Sequence, residues 1–402
     1  PALHQASHRF PSFLPDGRHF LYLAIPGSEG GFDTFAASLQ EGTIKKILTA
    51  DSAVVYAQPG YLLFARDGKI LAQPFDAGRL ELSGEPVAIA EAPPSTDLDA
   101  EPVVSASDDE RLVFLRSGVR STRLEWIDRT GAVRGVVPLP PGPWRIFDLS
   151  LDTRHAAVMN GGDIWLIDLA RAIPTRLAAT LSKEANVVWL SDGRRIAFSS
   201  NRSGRAEVYI ADVDATVEPK MIATTESQFK SVWDVSRDGR TVVFGMVGET
   251  TSWDIWVVPL EDGGKATLYE SGSGQEVQAR LSPDGKWLAY SSDGESGLPE
   301  IYVQSFPRPG RKMRISVDGG DFPTWTKGGS ELLYTKGATI MSVPIGGGAD
   351  LQPGAPRPIL ELPEGTTGVV PTPDGDRFLL TAGPEVKRDI RVILNWTSLL
   401  KQ

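Results

Sequence analysis

Glu276–Phe306 reads EVQARLSPDGKWLAYSSDGESGLPEIYVQSF, and its parsing decides the fold. Val277 to Leu281 is short and alternates apolar with polar residues, as a half-buried strand does. Ser282-Pro283-Asp284-Gly285 is a turn: proline presets φ, aspartate bonds its own backbone, and glycine accepts positive φ. Trp287 to Ser291 is a second strand, rich in bulky apolar residues. A polar Asp/Gly/Ser hairpin leads to a third strand, Glu300 to Phe306, and Lys312 to Ser316 supplies a fourth. Four antiparallel strands in about 45 residues make one blade of a β-propeller.

The same turn recurs in both directions. Its central position falls at 16, 59, 108, 152, 192, 238, 284, 328 and 374, with steps between 40 and 49. Some copies keep Asp-Gly, as in Leu190-Ser191-Asp192-Gly193 and Thr372-Pro373-Asp374-Gly375, and others are worn, as in Ala57-Gln58-Pro59-Gly60. A blade-sized period held nine times predicts an all-β propeller of four-stranded antiparallel blades. The third strands agree, reading DIWLID from Asp163, EVYIAD from Glu207, DIWVVP from Asp254 and EIYV from Glu300. Most of the 10 Trp fall on these strands or at the ends of first strands, where packing between blades is the expected role.

A longer period sets the grouping. Leu62-Leu63, Ile70, Pro74, Gly84, Pro86, Ile89 and Glu91 recur as Leu332-Leu333, Ile340, Pro344, Gly354, Pro356, Ile359 and Glu361, every offset being 270. That is six units of 45, and it points to duplication of a six-blade block. The expected organisation is three blade units in 1–140, as a partial ring, followed by a six-bladed ring in 141–402. The alternative is one ring of eight or nine blades. In the ninth unit Val369-Val370, Phe378 to Thr381 and Ile390 to Trp396 supply three strands, and a strand from about 132–138 is expected to close the ring.

Composition narrows the chemistry. With 402 residues, 41 Gly, 30 Pro and 41% hydrophobic residues, the chain has ample apolar surface for a large core broken by many turns. A net charge of −10 argues against a nucleic-acid partner. Without cysteine there is no disulfide, thiolate metal site or cysteine nucleophile. No run of 18 apolar residues exists, so no membrane insertion is expected of this chain. The first residue, Pro1, suggests a piece of something longer.

Three strings are more specific than the turn. They are HRFPSFLPDGRHFLY from His8, WDIWVVPL from Trp253, and the ending VILNWT with Leu400-Lys401. They resemble the C-terminal WD40-like (PD40, TolB-like) propeller region of bacterial membrane-anchored serine/threonine protein kinases, over essentially the whole chain. The resemblance implies a sensor or docking module outside the cytoplasm, periplasmic or at the cell surface. A kinase domain and a membrane helix would precede it. It brings no catalytic residue onto this sequence.

Catalytic motifs are missing. The sequence has no Gly-rich kinase loop, HRD-like loop or Asp-Phe-Gly, and neither Gly272-Ser273-Gly274 nor Glu295-Ser296-Gly297 makes a nucleophile elbow. His4 and His8 are four apart, but in a segment that does not look helical. Asp97, Asp99, Glu101 and Asp108-Asp109-Glu110 lack EF-hand spacing and read as solvated loops. No metal, cofactor or catalytic residue is therefore expected, and the chain is read as a non-enzyme.

Binding is what remains, with a protein or peptide as the expected partner of a monomeric ring. Residues entering each inner strand should ring one channel mouth: Arg145, Asn186, Lys230, Glu276, Asp321 and Thr366. Trp144 and Phe322 join them, because aromatic-plus-charge pairs are common in binding hot spots. Two alternatives stay open: a free-standing periplasmic TolB-like scaffold, and a propeller hydrolase or lyase with its site at the channel mouth.

Overall fold

The computed structural model describes residues 5–26, 32–40, 42–92, 102–116, 121–177, 184–214, 217–223, 225, 227, 229–248, 251–260, 264–347, 350–383 and 389–401. His4, Asp97, Asp99 and Glu101 lie outside the described residues. The described chain is nearly all strand, arranged in nine antiparallel sheets of three to five strands, as a β-propeller requires. Two 3-10 turns, Lys327–Gly329 and Trp396–Lys401, are its only helical segments among the described residues.

The turn that fixes the fold is built as its residues dictate. Gly285 has φ 68° and its N–H donates to Ser282 O at 2.9 Å. Ser282 Oγ donates to Asp284 Oδ1 at 2.6 Å and accepts Trp287 N at 3.0 Å. The same hydroxyl-to-carboxylate stitch recurs at Ser150/Asp152, Ser236/Asp238 and Thr372/Asp374. These hydroxyls, with nearby backbone N–H groups, hold the Asp152, Asp238 and Asp374 carboxyls below their ordinary range.

The chain divides into two compact units, residues 121–385 and residues 1–120 with 386–402. The larger unit holds six sheets. Four are continuous and begin with the inner strands Arg145–Leu149, Glu184–Trp189, Lys230–Val235 and Glu276–Leu281. A fifth begins with Asp321–Thr326. The sixth is spliced: Thr366–Pro371 and Arg377–Ala382 come from late in the chain, Arg123–Asp128 and Val133–Val137 from early. Arg377–Ala382 pairs with Arg123–Asp128 through six residue pairs.

Apolar clusters run from each sheet to the next. Leu124 and Val137 of the spliced sheet pack with Ile146 and Val158 on one side, while Phe378 and Leu380 pack with Leu333 and Ile340 on the other. Arg129 adds a polar clasp: Nε donates to Gly375 O at 2.6 Å and Nη1 to Glu331 Oε1 at 3.1 Å. Thr326 and Ser342 hydroxyls donate to the same buried carboxylate. Burial alone would raise the Glu331 carboxyl, but Arg129, Ser342 and Thr326 together hold it down at about 2.

The smaller unit holds three sheets. One runs Gln5–Phe13, His19–Pro26, Phe32–Ser38, Ile44–Ala50, and a second is built from Val55–Glu91. The third is spliced too, ordering Val104–Ala106, Arg111–Arg116 and Asp389–Leu394. Trp396 is fully buried in this unit, edge-on to Tyr61 at 5.5 Å.

The units divide at 120/121 and 385/386, where the sequence reading put one boundary at 140. The expected third strand of the ninth unit, Ile390 to Trp396, pairs instead with Arg111–Arg116. Arg123–Asp128 takes its place. The third and ninth repeats have thus exchanged the strands that follow their second ones. Arg123–Asp128 and Asp389–Leu394 both alternate charged with apolar residues over their first four positions, so the local pattern does not by itself assign either to one second strand.

Candidate binding channel

Every inner strand of the six-sheet unit breaks register with its neighbour. The irregularities fall at Ile146/Asp148, Ala185/Val187, Val232/Asp234, Val277/Arg280, Asp321/Thr324 and Thr366/Gly368. A β-bulge inserts a residue, bends the strand and re-aims a side chain. Three bulges put non-glycine residues in the left-handed region: Asn186 at φ 45°, Gln278 at 59° and Phe322 at 53°. Each stands six positions before its turn, at 192, 284 and 328, so the strained residues share one level of the ring. Such strain costs of order 1 kcal/mol per residue and persists where the surroundings enforce it. Here Asn186 Nδ2 donates to Ser231 Oγ at 2.8 Å, and Phe322 N donates to Gln278 Oε1 at 2.7 Å. Both bonds join neighbouring sheets. Phe322 is 58% exposed, an unusual state for a large aromatic.

Inside the ring lies a cavity of about 680 Å³, lined by all six inner strands. At one end stand Arg145, Asn186, Gln278, Phe322 and Thr366; at the other stand Leu151, Ser191, Arg237 and Pro283. Between them, four positions before the turn, is a waist of Asp148, Val188, Asp234, Arg280, Thr324 and Val370. Asp148 Oδ2 accepts Trp189 N and Asp234 Oδ2 accepts Leu281 N, both at 2.7 Å. Each carboxylate thereby ties its inner strand to the next. Arg280 donates from Nη1 to Trp233 O, and the same nitrogen lies 3.8 Å from Asp234 Oδ1.

The waist is electrically uneven. Burial pushes the Asp148 carboxyl up to about 6, against a smaller opposing pull from Arg280. Burial raises Asp234 as well, again opposed by Arg280. Side-chain exposures of 17% for Asp234 and 29% for Arg280 show that water reaches them along the channel. Trp189, Trp233 and Trp325 also line the cavity, so these tryptophans pack between sheets and face the channel as well.

The structure brings together only part of the expected mouth. Arg145, Asn186, Phe322 and Thr366 line the cavity, Arg145 with its guanidinium 5.1 Å from the Phe147 ring centre. Trp144 is buried, its indole N–H donating to Pro140 O at 2.7 Å. Lys230 is buried and pairs with Glu207 at 2.9 Å. Glu276 is buried against Ser292 Oγ at 3.0 Å. Asp321 is half-buried on Ser291 Oγ at 3.2 Å, away from the cavity. The expected set mixed registers. Counted back from the turn, Asn186 and Phe322 stand at six, Arg145 and Asp321 at seven, and Trp144, Lys230, Glu276 and Thr366 at eight, so distance from the turn does not by itself decide which of them line the cavity.

Sequence reasoning missed Gln278, Asp148, Asp234 and Arg280. One signal was available: three charged residues stand at the same distance from their turns, at a level where the other repeats carry Val, Thr or Ser.

No family model matches the chain. Among solved structures it is similar to a TolB-type protein from Agrobacterium tumefaciens at 19% identity, covering 66% of this chain and 99% of that one, with a TM-score of 0.55. TolB from Acinetobacter baumannii matches at 14% identity over 90% of this chain and 79% of its own, TM-score 0.42. An oligogalacturonate lyase from Vibrio parahaemolyticus matches at 12% identity over 70% and 84%, TM-score 0.45. The likeness to the Agrobacterium structure shows a TolB-like β-propeller fold and nothing finer.

Proposed function

We propose that the chain is a non-enzymatic binding propeller whose channel takes an extended segment of a protein or peptide partner. The observation that carries this reading is the rim. Inter-sheet hydrogen bonds hold Asn186, Gln278 and Phe322 in a strained level at the mouth of an open channel, and Phe322 is left exposed there. Rigid scaffolds that present such residues suit recognition without chemistry. The sequence resemblance adds a setting, the extracytoplasmic sensor part of a receptor-type kinase; a free-standing periplasmic scaffold is its rival. The coding sequence upstream of Pro1 separates the two.

The test is site-specific crosslinking. A photoreactive phenylalanine at position 322 should capture a discrete partner, while the same group at exposed Val217 should not. Arg145→Ala should reduce the capture. Equal labelling from both positions would end the proposal. One observation favours a second reading, a channel lyase or hydrolase: Asp148 is an enclosed carboxyl ionising near pH 6. That reading requires a rate with an apparent pKa near 6 that vanishes in Asp148→Asn.

A further inference from the structure

Asp148 and Asp234 face one cavity, and their situations differ. Asp234 has a cation at 3.8 Å in Arg280. Asp148 has no ion-pair partner among the described residues; it accepts the Trp189 N–H and otherwise sees Arg280 only through the field across the channel. Two carboxylates therefore share one guanidinium, and that guanidinium is already spent in part on Trp233 O. An enclosed carboxylate without a counter-ion is costly. The walls around it are apolar and aromatic, with Phe147, Val188 and Trp233. Such walls suit the methylene stem of a long basic side chain, and their ring faces attract its charged head.

We infer that the waist is a site for a basic side chain, a lysine ammonium or arginine guanidinium of an extended segment entering the channel, with its charge set between Asp148 and Asp234. This deepens the peptide-binding reading of the same channel and rests on it. Arg145 at one mouth and Arg237 at the other make both ends of the channel cationic. The inserted basic residue is flanked by acidic or neutral ones, because a run of basic residues would meet repulsion at both ends. An acidic segment does not fit, since its inserted carboxylate would face two carboxylates and one partly engaged cation.

Trp189, Trp233 and Trp325 supply an intrinsic signal for entry. The intact chain is titrated with N-acetyl-lysine amide, N-acetyl-arginine amide, the uncharged N-acetyl-norleucine amide and the anionic N-acetyl-glutamate amide, following tryptophan emission. The two cations should saturate in about the millimolar range, at least about tenfold more tightly than norleucine or glutamate. Asp148→Asn and Asp234→Asn should each weaken the cations about tenfold. Arg280→Gln removes the competing internal cation and should tighten them, a gain that damaged folding cannot mimic. Norleucine binding as well as lysine would overturn the inference in favour of an apolar slot. Tighter glutamate binding would overturn it in favour of an anion site on Arg280. Crosslinking at position 322 reports the rim separately. Capture that persists while Asp148→Asn leaves lysine affinity unchanged would sink the cation site and spare the peptide reading.

Discussion

Two sheets are spliced from distant parts of the chain, and they are finished differently. In the larger unit the splice carries a fourth strand and a polar clasp, although Val133 and Val136 on its outer edge stay exposed. Arg377–Ala382 meets Arg123–Asp128, Val133–Val137 covers the outside, and Arg129 clasps Gly375 and Glu331. Among the described residues the spliced sheet of the smaller unit has three strands and ends on Asp389–Leu394, with Ile390, Val392 and Leu394 exposed. Both splices use the same kind of strand, so pairing alone does not distinguish them. What distinguishes them is the clasp and the fourth strand. Closure of the ring is therefore a property of side chains around the seam as much as of the seam's own hydrogen bonds.

The sharpest way to break this contrast is Trp396→Ala. The side chain is fully buried in the smaller unit, so its loss should cost about 3–5 kcal/mol there. Calorimetry should show one transition falling and the transition of the larger unit unmoved; a joint fall would mean that the two units melt as one. Next in size is Arg129→Ala, which leaves a carboxylate only 5% exposed with Lys327 at 3.4 Å as its remaining cation and should cost the larger unit about 2–3 kcal/mol. Glu331 has a depressed folded pKa, so its contribution is present above the unfolded value near 4.5 and is lost as pH falls towards about 2. The variant should weaken that acid-side dependence, leaving the part held by Ser342 and Thr326.

Asp148→Asn should act in the opposite direction. A carboxyl raised to about 6 stabilises the fold below its unfolded pKa of 3.8, and that advantage is lost as pH rises through 6. Asparagine, which never ionises, should raise the melting point at pH 8 by the equivalent of about 1–2 kcal/mol and change little at pH 4. A loss at pH 8 would mark Asp148 as a structural tie alone. The smallest effect is expected at the rim. Phe322→Gly relieves a left-handed φ and should stabilise by about 1 kcal/mol or less in urea unfolding. Destabilisation there would show the exposed ring to be part of the packing.

Much of this was legible in advance. Ser282-Pro283-Asp284-Gly285 and its relatives declare their turn in four residues, and the offset of 270 between Leu62 and Leu332 points to a block of six. The exchange of strands was not legible. Pairing partners about 250 to 280 residues apart are chosen by global closure, and the local pattern does not assign either candidate strand. The mouth failed for a different reason. Strand counting assumes strict alternation, and the bulges break it through Asn186, Gln278 and Phe322 rather than through glycines that would announce them. Lys230 and Glu276 look like rim charges in sequence, yet that slip in register puts them inside.

The exchange also sets a schedule for biosynthesis. Arg123–Asp128 leaves the ribosome about 250 residues ahead of the strand it pairs with, roughly 10–50 s at ordinary rates of synthesis. Arg111–Arg116 waits longer still for Asp389–Leu394. A nascent chain halted before residue 377 has neither partner to offer. Premature termination should thus yield material that proteases and chaperones recognise at once, and a shorter but working product is not expected.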